Sequence, residues 1–206
     1  ASLVLLAPDA TPSLATVGLP QEKGLAAQIV LHLDPASGNR LLPCTAGSSC
    51  VSTANFLSPS QYLPPWSFDP LTSQQAKRQL LDELVVERGG IVVREDEPRG
   101  YIAAVVPYKL GPGRQQQPWD LLEFVFASEG RTVTFRSEAL PGGLPGSQPL
   151  PGLQLPAVPP RPFCWTLGCV TGPGNRGRLE ALRDSLGWSS LETDEDKSWV
   201  PFLLHD

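Results

Sequence analysis

The stretch that decides the fold is WDLLEFVFASEGRTVTFR, residues 119–136. In its first half every second residue from Leu122 to Phe126 is a large apolar one, which is the alternation of a half-buried strand. Ser128-Glu129-Gly130 predicts a turn. In the second half Val133 and Phe135 alternate with threonines and are expected to point inward. Two alternating runs joined by a short turn predict an antiparallel hairpin.

Further elements surround this hairpin. Segments 90–95 and 101–108 predict two more strands, joined by the Pro- and Gly-containing turn 97–100. Upstream, Thr72 and Gln75 form a capping-box pattern that begins a helix, and Gly89-Gly90 ends it. Short connections predict a four-stranded antiparallel meander with this helix on one face, and a second helix is predicted over 175–186. The predicted fold class is therefore α+β, one sheet packed by two helices.

Proline and glycine set the predicted domain organisation. Residues 1–43 are expected to form an extended N-terminal arm, because proline and glycine interrupt them repeatedly. An α+β domain is predicted over 44–190, with a Pro-rich insertion at 138–171. Eight prolines and four glycines between positions 141 and 162 predict an extended, polyproline-like path for that insertion. Residues 191–206 are predicted to form a C-terminal tail.

Charge and composition exclude several classes of partner. The net charge of -5 argues against nucleic acid or an anionic membrane surface as the main partner. No apolar run approaches the roughly 20 residues that a membrane-spanning helix needs. The chain starts at Ala1 and contains no methionine, from which we expect a mature protein left after removal of a signal peptide.

Four cysteines lie in two close pairs, Cys44 with Cys50 and Cys164 with Cys169. The chain has only two histidines, so a zinc site lacks ligands, and no Cys-x-x-Cys motif is present. Four cysteines allow three pairing schemes, and the short spacings favour the one that joins Cys44 to Cys50 and Cys164 to Cys169. Structural disulfides in turn predict an oxidising compartment.

Candidate catalytic residues are scarce. The histidines lie in the arm and next to the C-terminus, and neither is expected to be held as a general base. Asp120 and Glu123 stand in an otherwise apolar strand, either as outward polar positions, as ion-pair partners of Arg136 or Arg176, or as acid–base groups. The GPGNRG motif at 172–177 matches a dinucleotide fingerprint, but no strand follows its helix, so we interpret it as a turn that caps that helix.

Several ordered motifs together resemble a widespread family known as domain of unknown function 1499. They are the cysteine loop with Pro65-Trp66, the WDLLEF strand, and the GNRGRLE helix start, and the match spans residues 41–187. The arm and the 138–171 insertion lie outside the family pattern. The family has no established catalytic residues, so the resemblance implies only family motif positions without an assigned role, namely Asp120, Glu123, Asn175 and Arg176.

Members of this type in the green lineage resemble chloroplast proteins of the thylakoid lumen. The resemblance therefore implies a non-catalytic accessory subunit, peripheral to the membrane, that binds and stabilises photosystem II without a cofactor or metal. The arm, the Pro-rich segment 141–162 and residues 199–204 are its expected contacts. Two rivals stay open. One is a hydrolase or small-molecule-binding protein with a pocket near Asp120, Glu123 and Arg176, and the other is a lumenal thiol-disulfide enzyme.

Overall fold

A computed structural model of the chain describes residues 28–45, 48–108, 118–140, 144 and 174–192. Within these residues the fold is α+β, with an antiparallel sheet that carries two α-helices. The strands are β1 (Cys50–Ser52), β2 (Trp66–Ser67), β3 (Ile91–Asp96), β4 (Tyr101–Pro107), β5 (Trp119–Phe126), β6 (Thr132–Leu140) and β7 (Ser189–Ser190). The helices are α1 (Ser73–Asp82) and α2 (Asn175–Leu186).

The described sheet is larger than the four strands predicted. Its order is β3-β4-β5-β6-β2-β7. Strand β6 pairs with β2 through residues 132–133 and with β1 through residues 136–138. The three extra strands have two or three residues each, which is too short for an alternating pattern to show in the sequence. Strand β6 also runs to Leu140 and not to the predicted end at Arg136. The first residues of the predicted Pro-rich insertion therefore belong to the sheet.

Helix α1 begins and ends as its sequence predicts. Thr72 accepts a hydrogen bond from the Gln75 backbone N–H, and the Gln75 side chain accepts one from the Thr72 backbone, so the capping box is confirmed. The helix continues as a wider π-type turn, Glu83–Glu87. It stops at Gly89, which has a positive φ of 66°, and at Gly90, where a Cβ would lie 2.6 Å from a backbone oxygen.

The helices cover one face of the sheet, which we call the helix face. Trp66 is buried at its centre, with its ring centroid 4.1 Å from that of Phe135. The Trp188 ring lies edge-on to Trp66 and its indole N–H donates to Gln79 on α1. Three leucines of α2 are also buried on this face: Leu179, Leu182 and Leu186. Apolar burial of this size is the main stabilising contribution on this face.

The opposite face, which we call the arm face, is covered by the described part of the predicted arm. Leu33 and Leu41 form a bridge, and between them Asp34 accepts hydrogen bonds that close a tight loop. Leu41 and its neighbours pack on a second apolar cluster of Val93, Tyr101, Ala103, Val105, Leu121 and Val125. Residues 28–45 are therefore a packed layer of the fold, and residues 1–27 lie outside the described part of the chain.

Strand β3 forms one edge of the described sheet, and it is irregular. Its pairing with β4 shifts register between Val92 and Arg94, which is a β-bulge. The residues after the bulge are charged, and Asp96 is held by Arg94 and Arg99. At the other end of the strand order, β7 has only two residues.

Candidate functional site

The charged residues singled out by the sequence lie at three separate places. Asp120 and Glu123 are three residues apart in β5, so the pleat of the strand sends them to opposite faces of the sheet. Asp120 is on the helix face, Glu123 is on the arm face, and Arg176 contacts the loop that follows β1. The expectation of one pocket shared by Asp120, Glu123 and Arg176 is corrected by this geometry.

Asp120 forms an ion pair with Arg178. From the sequence, Arg136 or Arg176 was named as the partner. The Arg178 Nη2 atom is 2.8 Å from Asp120 Oδ1, and Nε contacts the second carboxylate oxygen. The guanidinium carbon lies 3.7 Å from the centroid of the Tyr108 ring, a cation–π stack. Burial raises the pKa of Asp120 above its ordinary value, and the hydrogen bond and charge of Arg178 offset only part of that effect.

A cavity of about 230 Å³ lies beside this pair, between α2, the end of the π-type turn that follows α1, and the adjoining ends of β4 and β5. Leu122, Leu179 and Leu182 form its apolar floor. Its polar rim includes Arg88, which is hydrogen-bonded to Glu83 and Ser185. The cavity therefore combines an apolar base with charged groups whose partners already lie within the protein, an arrangement that can hold a small molecule.

Glu123 is completely buried on the arm face, where groups of three residues, His32, Tyr101 and Arg136, contact its carboxylate. Oε1 accepts the His32 backbone N–H and the Tyr101 hydroxyl, both at 2.7 Å. Oε2 lies 2.9 Å from His32 Nδ1 and 3.4 Å from Arg136 Nη1. Burial alone would raise the pKa of Glu123, but the hydrogen bonds from His32 and Tyr101 bring it below its ordinary value. The carboxylate is thus kept ionised inside the fold.

Arg136 and Glu138 complete this cluster. Arg136 is buried and its Nη2 atom is 2.8 Å from the partly exposed Glu138 carboxylate. His32 Nε2 faces the same carboxylate at 3.5 Å. His32 belongs to the predicted extended arm and was not expected to be held in place, whereas in the structure it lies between the Glu123 and Glu138 carboxylates. Only the tertiary packing of residues 28–45 reveals this contact, because His32 and Glu123 are 91 positions apart.

The predicted disulfide between Cys44 and Cys50 is present, with the two Cα atoms 5.7 Å apart. Two buried amide side chains fix the loop that it closes. Asn55 accepts the Cys44 backbone N–H at 2.6 Å, and Gln61 donates to the Thr45 and Ser48 carbonyls. The disulfide loop and residues 53–62 therefore form one hydrogen-bonded unit. The second predicted pair, Cys164 and Cys169, lies outside the described residues.

Asn175 and Arg176, at the start of α2, hydrogen-bond to this unit. The Asn175 amide is fully buried and donates to the carbonyls of Ser137 and Ser49, so it ties α2 to β6 and to the disulfide loop. Arg176 Nη2 donates to the Pro59 carbonyl at 2.7 Å and to the Tyr62 carbonyl. Both motif residues thus act on backbone groups, and their contacts are structural.

Two further features, a metal site and a membrane-spanning helix, were sought in the described part of the chain. No group of three His, Cys, Asp or Glu side chains there is arranged to hold a metal ion. Neither α1 nor α2, nor any other helix in these ranges, has the length and apolar character to cross a bilayer.

Comparison with protein-family models, with curated proteins and with solved structures finds no match to this chain. The resemblance to domain of unknown function 1499 therefore gains no support from these comparisons and stays a prediction.

Proposed function

We propose that the protein is a non-catalytic accessory subunit that acts by binding a partner in an oxidising compartment. The observation that carries this proposal is that the buried charged side chains are paired within the fold. Asp120, Glu123 and Arg176 are each occupied by contacts within the fold, at sites that do not converge. The Cys44–Cys50 disulfide supports the compartment, because such bonds form and persist where thiols are not kept reduced.

The more specific form of the proposal names the thylakoid lumen as the compartment and photosystem II as the partner. This form rests on the motif resemblance. An acidic protein with a disulfide-closed loop is compatible with it. In this proposal the protein sits peripherally on the lumenal side and needs no cofactor.

The test is binding of the purified protein to detergent-solubilised photosystem II particles, followed on a native gel. A variant that lacks residues 1–27 keeps the whole described fold, including the packed segment 28–45. We expect the full chain to co-migrate with the particles and the truncated chain to show whether residues 1–27 contribute. Absence of co-migration by the full chain, at concentrations far above those of the particles, would remove photosystem II from the proposal.

A second candidate function is small-molecule binding, and the cavity beside Asp120 favours it. This cavity joins a buried carboxylate of raised pKa to an aromatic ring and an apolar floor. Compared with the predicted pocket, it uses Arg178 in place of Arg176 and does not include Glu123. A thermal-shift screen with small amphipathic molecules tests it. A hit should lose its effect in Leu182→Trp, which fills the cavity, and any hit that persists there binds elsewhere.

The thiol-disulfide rival is tested by titrating thiols in the native and the denatured protein. A structural role predicts no reactive thiol in either state. A redox enzyme should instead have a disulfide that a dithiol reduces rapidly in the native protein and that re-forms on oxidation.

A further inference from the structure

Residues 41–68 form the least charged part of an acidic protein. These 28 residues, from Leu41 to Phe68, contain no Asp, Glu, Lys or Arg, although 18% of the whole chain is charged. They include the disulfide loop and the braced segment 53–62. A surface without charge loses little hydration free energy when it is covered, and the cores of protein interfaces are depleted in charge for that reason.

Two large apolar side chains project from this segment into solvent. Phe56 is 67% exposed and Leu57 is 70% exposed, while Asn55 directly before them is buried. We call these two side chains the apolar ledge. Exposure of adjacent large apolar groups costs solubility, so it calls for a covering partner more than a single exposed residue does.

The ledge is held rigidly on both sides. Before it, Thr53 N–H donates to the Phe135 carbonyl at 3.0 Å and Asn55 clamps the disulfide loop. After it, Ser58 N–H donates to the Asn55 carbonyl at 2.7 Å, and Arg176 holds the Pro59 carbonyl. A preorganised loop loses little conformational entropy on binding, so its apolar contacts are converted efficiently into affinity.

We infer that the apolar ledge is an anchor for an uncharged, apolar recess on a partner protein. This inference rests on the proposed function and names the contact through which the subunit binds. A protein recess fits better than a lipid bilayer. Interfacial membrane binding by short segments relies on lysine and arginine beside the apolar groups, and segment 41–68 has neither. Arg176, which reaches this segment after the ledge, donates to the Pro59 carbonyl.

The test compares three proteins: the full chain, the double variant Phe56→Ser/Leu57→Ser, and Val86→Ser. Val86 is 72% exposed on the turn after α1, so it is a matched apolar control at another site. All substituted side chains are exposed, and equal unfolding midpoints will show that the variants fold. Two probes are used in parallel, solubilised photosystem II particles and a phage library that displays random peptides.

The inference predicts that the library yields uncharged apolar peptides whose affinity falls at least about tenfold in the double variant and is unchanged in Val86→Ser. If the full chain binds photosystem II, the same loss is expected there. Ledge-dependent peptides without photosystem II binding would reject the proposed partner and keep the ledge. Binding to photosystem II that the double variant retains would reject the ledge and keep the proposed function.

Two further outcomes overturn the inference. One is selection of charged peptides, or of peptides that bind the double variant as well as the full chain. The other is ledge-dependent binding to phosphatidylcholine vesicles, with or without phosphatidylglycerol, that matches or exceeds binding to the peptides, since this would assign the ledge to the membrane.

Discussion

The two faces of the sheet are stabilised by different kinds of contact, although the same strand contributes to both. The helix face buries an aromatic cluster around Trp66, and its charged pair, Asp120 with Arg178, lies at the margin, where Arg178 remains 31% exposed. On the arm face a smaller apolar cluster surrounds a buried charge network centred on Glu123. Apolar packing tolerates modest change, whereas a buried charge depends on every one of its partners.

The largest effect is expected from Glu123→Ala. This change leaves the buried Arg136 with only Glu138 as a counter-ion, and it removes the acceptor of Tyr101 and His32. We expect a loss of about 3–5 kcal/mol in the free energy of unfolding, measured by urea denaturation. Glu129→Ala, in an exposed turn, is the control and should change stability by less than about 0.5 kcal/mol. Equal effects of the two substitutions would mean that the network contributes nothing.

A smaller effect is expected from His32→Ala. The Glu123 carboxylate loses a hydrogen bond to the imidazole but keeps the His32 backbone N–H, Tyr101 and Arg136. We expect a loss of about 2 kcal/mol, as for other hydrogen bonds to charged groups. Hydrogen exchange should also increase at the described arm residues, including the Asp34 and Leu42 amides, whose bonds close the loop. Exchange unchanged at these amides would show that His32 does not hold the arm to the sheet.

For Asp120→Ala we expect only about 1 kcal/mol, although the residue stands in the same strand as Glu123. Arg178 is partly exposed and stacked on Tyr108, so water can solvate it once the carboxylate is gone. The measurement is again urea denaturation. A loss as large as that of Glu123→Ala would contradict the distinction between the two faces.

The smallest and most diagnostic effect is the dependence of stability on pH, which should have opposite signs on the two faces. The pKa of Glu123 is lowered in the fold, so its contribution is complete above its unfolded pKa and is lost as the pH falls through the folded value. The pKa of Asp120 is raised, so the folded state binds its proton more tightly, and stability falls as the pH rises from the unfolded pKa through the folded one.

Two isosteric variants separate these contributions. Glu123→Gln should reduce the loss of stability on acidification below about pH 4.5, while Asp120→Asn should make stability rise more steeply with pH just above about 3.8. The measurement is the urea midpoint at a series of pH values. Changes of the same sign in both variants would contradict the assigned environments.

The elements with strong local signals could be predicted from the sequence. The capping box of Thr72, the Gly89-Gly90 stop and the span 175–186 all match the structure, because local hydrogen bonds and backbone sterics determine them. The short strands β1, β2 and β7 were missed, since two or three residues carry no period.

The candidate site was harder to predict, for two different reasons. The separation of Asp120 and Glu123 was available from the sequence, since positions three apart in a strand face opposite ways. The choice of Arg178 over Arg176 depends on how α2 docks on the sheet. The His32 contact depends on the path of a segment without regular structure, and no local signal encodes it.

The bulge in β3 and the brevity of β7 have a consequence for self-association. Unpaired strand edges recruit strands from neighbouring molecules, and proteins prevent this with bulges, charges and short edge strands. Here one edge is bent between Val92 and Arg94 and then charged, while the last strand in the order offers only Ser189 and Ser190. Fibre-like growth through backbone pairing is thereby disfavoured at these two edges. Contacts made there with other molecules must then rely on side-chain complementarity.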